Sequence, residues 1–370
     1  MEKAASILEI DLTALENNLS VIKQALPPSV TVIAIVKSDA YGHGAVPVAQ
    51  KLQTLGVEWF GVTNLSEAIQ LREAGIKAHI LLLGGFRPEE IKEVTAYRLT
   101  PFVGDFDCLK ELSSWAKGHG KKLKLHLKVD TGMGRLGFLP QEAKKALEFV
   151  QECPFLEVEG IGSHFSTADE DLGYAFEQLE RFQVFLRELP EGLCNSPKRH
   201  MANSAAIFAL PQSHFEMVRP GISLYGLHPS LDFKRRLSLP LEPVMSWKTY
   251  VAELKDLPPN WGVSYGRTFV TKRRTRVAVL PVGYADGYLR SLSNKAHVLI
   301  KGKKAPVIGR ITMDWTMVDV TDLTDVKKGD EVLLFGKGLG VEELAAQAGT
   351  IPYEITCLAG RRAKRVFKDG

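Results

Sequence analysis

Eight short apolar runs, roughly 20 to 35 residues apart, alternate with amphipathic stretches from Thr31 to about Pro240: TVIAIV, EWFGV, HILLLG, LTPFVG, LKLHLKV, VEGIGSHF, RHMANS and MVRPGISLYG. Between them, segments such as LSEAIQLREAG place leucine and alanine at helical spacing and end on glycine. Repeated strand and helix units specify a parallel sheet, and eight of them close it. The expected fold is therefore α/β, a (β/α)8 barrel. After LSLPLEPVMSW the helical period fades, and SWKTYVAELKDL, RRTRVAVLPVGY, HVLIKG, APVIGRI, WTMVDVTDL and DEVLLFG alternate like antiparallel strands. Residues 1–238 read as the barrel and 239–370 as a mainly β domain, with ASILEIDL near the start able to pair in either. A chain of 370 residues accommodates both units.

Charge excludes several roles. The formal net charge is +4, and the basic runs TKRRTR and GRRAKRVF lack the interleaved aromatics or recognisable module of a nucleic-acid binder, so they read as solvated surface. Cys108, Cys153, Cys194 and Cys357 form no C-x-x-C pair and suggest neither a metal site nor a disulfide framework. MEKAASILEIDLTALENN has acidic residues where a signal peptide needs its apolar stretch, and no run approaches the about 18 apolar residues of a membrane helix. A cytoplasmic protein with no membrane or nucleic-acid partner is expected.

In barrels of this class the active site lies at the C-terminal ends of the strands, with phosphate commonly held after strands 7 and 8. That rule gathers Lys37 after the first run, Arg135 after the fifth, His164 at the end of the sixth, Ser204 after the seventh, and Arg219 with Gly221 at the eighth. A lysine ending an apolar run is costly, because desolvation disfavours its charged form. Ser204 also suits a helix N-cap, Gly221 a plain strand glycine and His164 a core histidine. Together, Ser204, Gly221 and the Ile222 amide form a phosphate site. Phosphate at one end of the mouth and a poorly hydrated lysine at the other describe pyridoxal 5'-phosphate, whose aldehyde condenses with a neutral lysine.

VKSDAYGHG, DTGMGRLGF, MANSAA, VRPGISLYG, GVSYGRTF, LPVGYADGY and GRITMD, in that order, closely resemble the blocks of the bacterial alanine racemase family, and the likeness spans nearly the whole chain. The resemblance implies interconversion of L-alanine and D-alanine, supplying D-alanine for peptidoglycan. Lys37 matches the lysine that holds the cofactor and handles the D-isomer proton, and Tyr265 the second base, on the opposite face. A tyrosine working near neutrality needs about 4 kcal/mol of differential stabilisation, to which His164 and Arg219 contribute by family likeness. Arg219 falls beside the ring nitrogen, Tyr41 and Tyr353 at the phosphate, Arg135 at the phenolic oxygen and the substrate carboxylate, and the Met313 amide at that carboxylate. Lys128 matches a lysine that is often carbamylated, while Tyr284, Arg290, Asp169 and Arg310 resemble the lining of the substrate access path. The family likeness also implies a homodimer with shared sites. Alternative readings are a broad-specificity or serine-preferring racemase and, from another class, a non-catalytic pyridoxal-phosphate carrier.

Overall fold

The computed structural model describes residues 4–189 and 197–369, so Cys194 lies outside the described residues. The first strand, β1 (Ile7–Asp11), is not a barrel strand. The barrel is built from β2 (Thr31–Ile35), β3 (Trp59–Val62), β4 (His79–Leu82), β5 (Thr100–Val103), β6 (Leu123–Lys128), β7 (Leu156–Gly162), β8 (Lys198–Asn203) and β9 (Met217–Arg219). They are paired in chain order and closed by the pairing of Thr31 with Met217. All eight apolar runs therefore become barrel strands. They are legible because a parallel strand covered on both faces needs an unbroken apolar run, as the full burial of the WFGV and TPFV segments illustrates.

The intervening helices start and stop where their sequences dictate. Asn64 accepts the Glu67 N–H in a capping box for the helix Leu65–Glu73. Asp105 caps Phe106–His119, which ends on Gly120 at φ 59°, and Asp171 caps Leu172–Arg187.

The chain divides into two compact units. The barrel unit comprises Leu19–Ala40 and Gly44–Leu224; the other, mainly β, comprises Met1–Asn18, Tyr41–His43 and Tyr225–Gly370. Within the second unit the Tyr225 carbonyl accepts the Val244 N–H. That unit contains β1 together with β10 (Met245–Tyr250), β11 (Glu253–Leu257), β12 (Gly262–Val263), β13 (Phe269–Val270), β14 (Thr275–Leu280), β15 (His297–Ile300), β16 (Lys303–Pro306), β17 (Thr316–Asp319), β18 (Glu331–Phe335) and β19 (Lys364–Lys368). A six-stranded sheet has the order β16-β15-β18-β10-β1-β19, a second sheet the order β11-β14-β17, and β12 pairs with β13. Thus ASILEIDL pairs in the β unit, antiparallel to β10 and parallel to β19. Trp247 anchors the core, with Tyr288 and Phe335 ring centroids 5.9 and 5.8 Å away in edge-on contact. Among the described residues, no helix is long and apolar enough to cross a membrane.

Candidate active site

The buried run Val32–Val36 delivers Lys37 to the C-terminal end of β2, where its side chain is half-buried rather than enclosed. The chain then enters a left-handed turn: Ser38, Asp39, Ala40 and Tyr41 all have φ between 52° and 54°. L-residues resist this conformation because Cβ crowds the following carbonyl, so the turn is fixed from outside. Glu67 accepts the Ser38 N–H and the Thr63 N–H, both at 2.7 Å. Asp39 Oδ1 accepts the Ala45 N–H at 2.7 Å.

Around this mouth the barrel gathers cations. Lys128, at the end of β6, is 8% exposed and donates to the Leu83 carbonyl at 3.3 Å. Burial, then Arg219, Arg135 and Lys37, bring its amine down to about 8. Arg219 at the end of β9 is buried, and burial lowers it to about 9. Its terminal nitrogens donate to the carbonyls of Ser163, His200 and Met201, to His200 Nδ1 and, at 3.2 Å, to His164 Nδ1. The Phe102 ring lies 5.1 Å from Lys128 Nζ and 5.9 Å from Arg219 Cζ, a partial substitute for an anion. His164 is held well below the usual histidine range by withdrawal from water and then by Arg219, Arg135, Lys128 and Lys37. The structure thus brings Lys37, Arg135 and Arg219 within electrostatic range of both Lys128 and His164.

Arg135 is exposed on the loop after β6. Asp130 organises that loop by accepting the N–H groups of Gly132, Met133 and Arg135 at 2.8, 2.8 and 3.2 Å. Gly137, at φ 121°, lets the loop return past Lys128, where a Cβ would meet the Lys128 carbonyl at 3.1 Å.

Ser204 is not the helix cap; Asn203 is, accepting the Ala206 N–H at 3.0 Å. Relieved of that duty, Ser204 Oγ accepts the N–H groups of Gly221 and Ser223, at 2.8 and 3.3 Å. Gly221 lies beyond β9 rather than within it, before the turn Ile222–Tyr225, and Ile222 is fully buried. Backbone N–H groups and hydroxyls thus cluster after the last two barrel strands, where barrels of this class commonly hold phosphate.

In the β unit, the Tyr41 ring lies 5.8 Å from that of Tyr353 and 5.1 Å from that of Tyr225, so the two tyrosines expected at the phosphate are together. Tyr265 sits in a tight turn and is 72% exposed. Ser264 and Arg267 on either side have positive φ, as does Gly266, where a Cβ would strike the Arg310 guanidinium at 2.9 Å. Met313 is also exposed. Its carbonyl accepts the Ala285 N–H, which ties it to the Tyr284 turn.

Arg362, from the run GRRAKRVF, clamps both oxygens of Asp286 at 2.8 Å and Asp314 at 2.9 Å, so one arginine of a surface run braces the Met313 loop. Sequence reasoning missed Arg362, Asp286 and Glu67. Only the capping pattern Asn64-x-x-Glu67 hinted at the last.

Residues 10–229 match the family model of the alanine racemase N-terminal domain, and residues 244–367 that of its C-terminal domain. The chain belongs to the alanine racemase family. The alanine racemase of Desulforamulus reducens is 45% identical over 363 residues, covering 97% of this chain and 98% of its own. Among solved structures, alanine racemase of Clostridium difficile 630 aligns with a TM-score of 0.92 at 37% identity, covering 100% of this chain and 97% of its own. Alanine racemase from Bartonella henselae, described with covalently bound pyridoxal phosphate, aligns with a TM-score of 0.89 at 31% identity, covering 99% and 100%. Pyridoxal phosphate is the cofactor of alanine racemases, and the donor set fits it. Among its residues, Ser204 Oγ sits with the Gly221 and Ser223 N–H groups, Lys37 carries an amine at the end of β2, and the Arg219 guanidinium carries only donors.

Proposed function

We propose that this chain interconverts L-alanine and D-alanine as a cytoplasmic, pyridoxal-phosphate-dependent homodimer, supplying D-alanine for peptidoglycan. The observation that carries the reading is the gathering of Lys37, Lys128, Arg135, His164 and Arg219 at one barrel mouth. When bound, the cofactor supplies an electron-withdrawing ring that acidifies the α-proton of an amino acid. Lys37 holds it and moves the proton on the D face. Tyr265 of a second copy moves the proton on the L face; its exposure supports that assignment.

Arg219 keeps its own proton, as an arginine does, and so leaves the ring nitrogen unprotonated. Ser204, Gly221, Ile222, Tyr41 and Tyr353 bind the phosphate, while Arg135 and the Met313 amide orient the substrate carboxylate. His164, held neutral beside Arg219, accepts from the guanidinium and can pass the influence of that charge to Tyr265. Lys128 near pKa 8 has the neutral fraction that adds carbon dioxide; the carbamate anion would offset Arg135 and Arg219. In this reading residues 1–238 carry the cofactor, and residues 239–370 complete the partner subunit's site.

The test mixes Lys37→Ala chains with Tyr265→Ala chains. Each alone should be inactive, and the mixture should regain L-alanine racemisation through hybrid dimers with one intact site. An inactive mixture in which hybrid dimers are demonstrated, or an active monomer, would defeat the shared-site reading. Chiral assay of a panel of amino acids fixes the substrate range.

A further inference from the structure

Beneath the barrel mouth, a line of polar side chains crosses the interior, where apolar layers fill most barrels of this class. His126 on β6 and His200 on β8 are fully buried, and His126 Nδ1 lies 2.8 Å from His200 Nε2. His200 Nδ1 faces Arg219. At the other end, His126 Nε2 and Glu159 Oε2 are 3.9 Å apart, and both atoms are buried with no hydrogen bond among the described residues.

Strand β7 is shaped around this line. A Cβ at Gly160 would fall 2.6 Å from the His126 ring, and one at Gly162 would fall 2.3 Å from the His200 ring, so both glycines are slots for imidazoles. The register between β6 and β7 slips here: Leu125 pairs with Val158, but His126 pairs with Gly160. Glu159 is the extra residue of a bulge, a device that re-aims a side chain. Lys124 Nζ takes its Oε1 at 2.8 Å, leaving Oε2 directed to His126.

These contacts fix the positions of the protons. A guanidinium only donates, so His200 Nδ1 accepts and the His200 proton sits on Nε2. That proton is donated to His126 Nδ1, which puts the His126 proton on Nε2, facing the carboxylate. Burial, then Arg219, His126 and Lys128, hold His200 well below its ordinary range. Burial, then Arg219, Lys198, His79 and Lys124, bring His126 down to about 3. Both rings are neutral, and each has a single tautomer.

We propose that Glu159 is a positioning residue for the racemase site: by accepting the His126 Nε2–H it anchors the His126–His200 pair and so holds the Arg219 guanidinium toward the cofactor ring. The inference rests on the assignment of Arg219 to that ring. A made N–H···O bond measures about 2.9 Å, so about 1 Å of side-chain movement closes the gap between His126 and Glu159.

The test uses the holoenzyme labelled with 15N-histidine. His126 and His200 should both appear protonated on Nε2 and should not titrate across about pH 5 to 8, where an ordinary histidine changes charge. Glu159→Leu should leave the His126 Nε2–H without an acceptor and so shift its 15N resonance, lower kcat for L-alanine about tenfold with little change in KM, and raise pyruvate formed per turnover. Glu159→Gln, which keeps an oxygen acceptor, should restore that resonance and most of kcat. A His200 protonated on Nδ1, or either ring titrating in that window, overturns the relay whatever the kinetics. Parental kcat in Glu159→Leu overturns the positioning role while leaving the proposed activity intact.

Discussion

Glu67 holds the turn that presents Lys37, and replacing it with alanine isolates what keeps that turn left-handed. Four consecutive residues in this conformation cost about 1–2 kcal/mol each, or about 4–8 kcal/mol together. Against that strain, the Glu67 carboxylate accepts two backbone N–H groups at 2.7 Å. Hydrogen bonds to a charged group contribute about 1.5–3 kcal/mol each. Both of these are exposed to solvent, so the low end applies, about 3 kcal/mol for the pair. Alanine's better helix propensity returns only a few tenths of a kcal/mol. Glu67→Ala should therefore lose about 2–3 kcal/mol in urea unfolding at unchanged m-value, and kcat/KM for L-alanine should fall about tenfold or more as Lys37 loses its fixed direction. Glu67→Gln should lose at least half as much, since its amide hydrogens meet one of the two donors. Unfolding within about 0.5 kcal/mol of the parent, with parental turnover, would refute the claim that Glu67 braces the turn.

Glu342 is buried against His228 Nδ1 and Lys234 Nζ, each at 3.2 Å. Burial works to raise its carboxyl, but the His228 hydrogen bond, its own backbone and Lys234 bring it down to about 2 from 4.5. Its folded pKa is depressed, so this stabilisation, about 3 kcal/mol, is fully present above about pH 4.5 and is lost as pH falls toward 2. Glu342→Gln should flatten the acid slope of stability in urea unfolding, and an unchanged slope would contradict this. For Lys128, protein equilibrated with 13C-bicarbonate should show a carbamate signal that grows as pH rises through about 8 and disappears in Lys128→Ala; no signal in the parent rejects the modification. Replacing Arg219 with Glu should let the ring nitrogen be protonated and raise pyruvate on prolonged incubation with alanine, and an unchanged yield would count against Arg219's role.

The barrel was legible because two-sided burial leaves little choice of residue, as the fully buried run Trp59–Val62 shows. Strand order made it legible that Lys37 follows β2, Arg135 lies on the loop after β6 and Arg219 ends β9. The left-handed turn was not, since Ser38, Ala40 and Tyr41 have no intrinsic preference for it and its ties reach to Glu67. Nor was the bulge at Glu159, because register is a property of two strands, not one. Ser204 looked like a cap because serine favours that role, but Asn203 one residue earlier does the capping.

The placement of β1 bears on how the molecule is made. Ile7–Asp11 lie inside a sheet beside its edge strand, hydrogen-bonded on one side to Met245–Lys248 and on the other to Lys364–Lys368, while Leu8 and Ile10 are completely covered. During synthesis this early strand has no partner until more than two hundred further residues have left the ribosome, so its greasy edge waits through the whole making of the barrel. A fragment cut at the start of the later half would inherit a sheet with an inner stave missing, whereas adding residues 4–18 in trans offers a direct way to ask whether that stave can be supplied from outside.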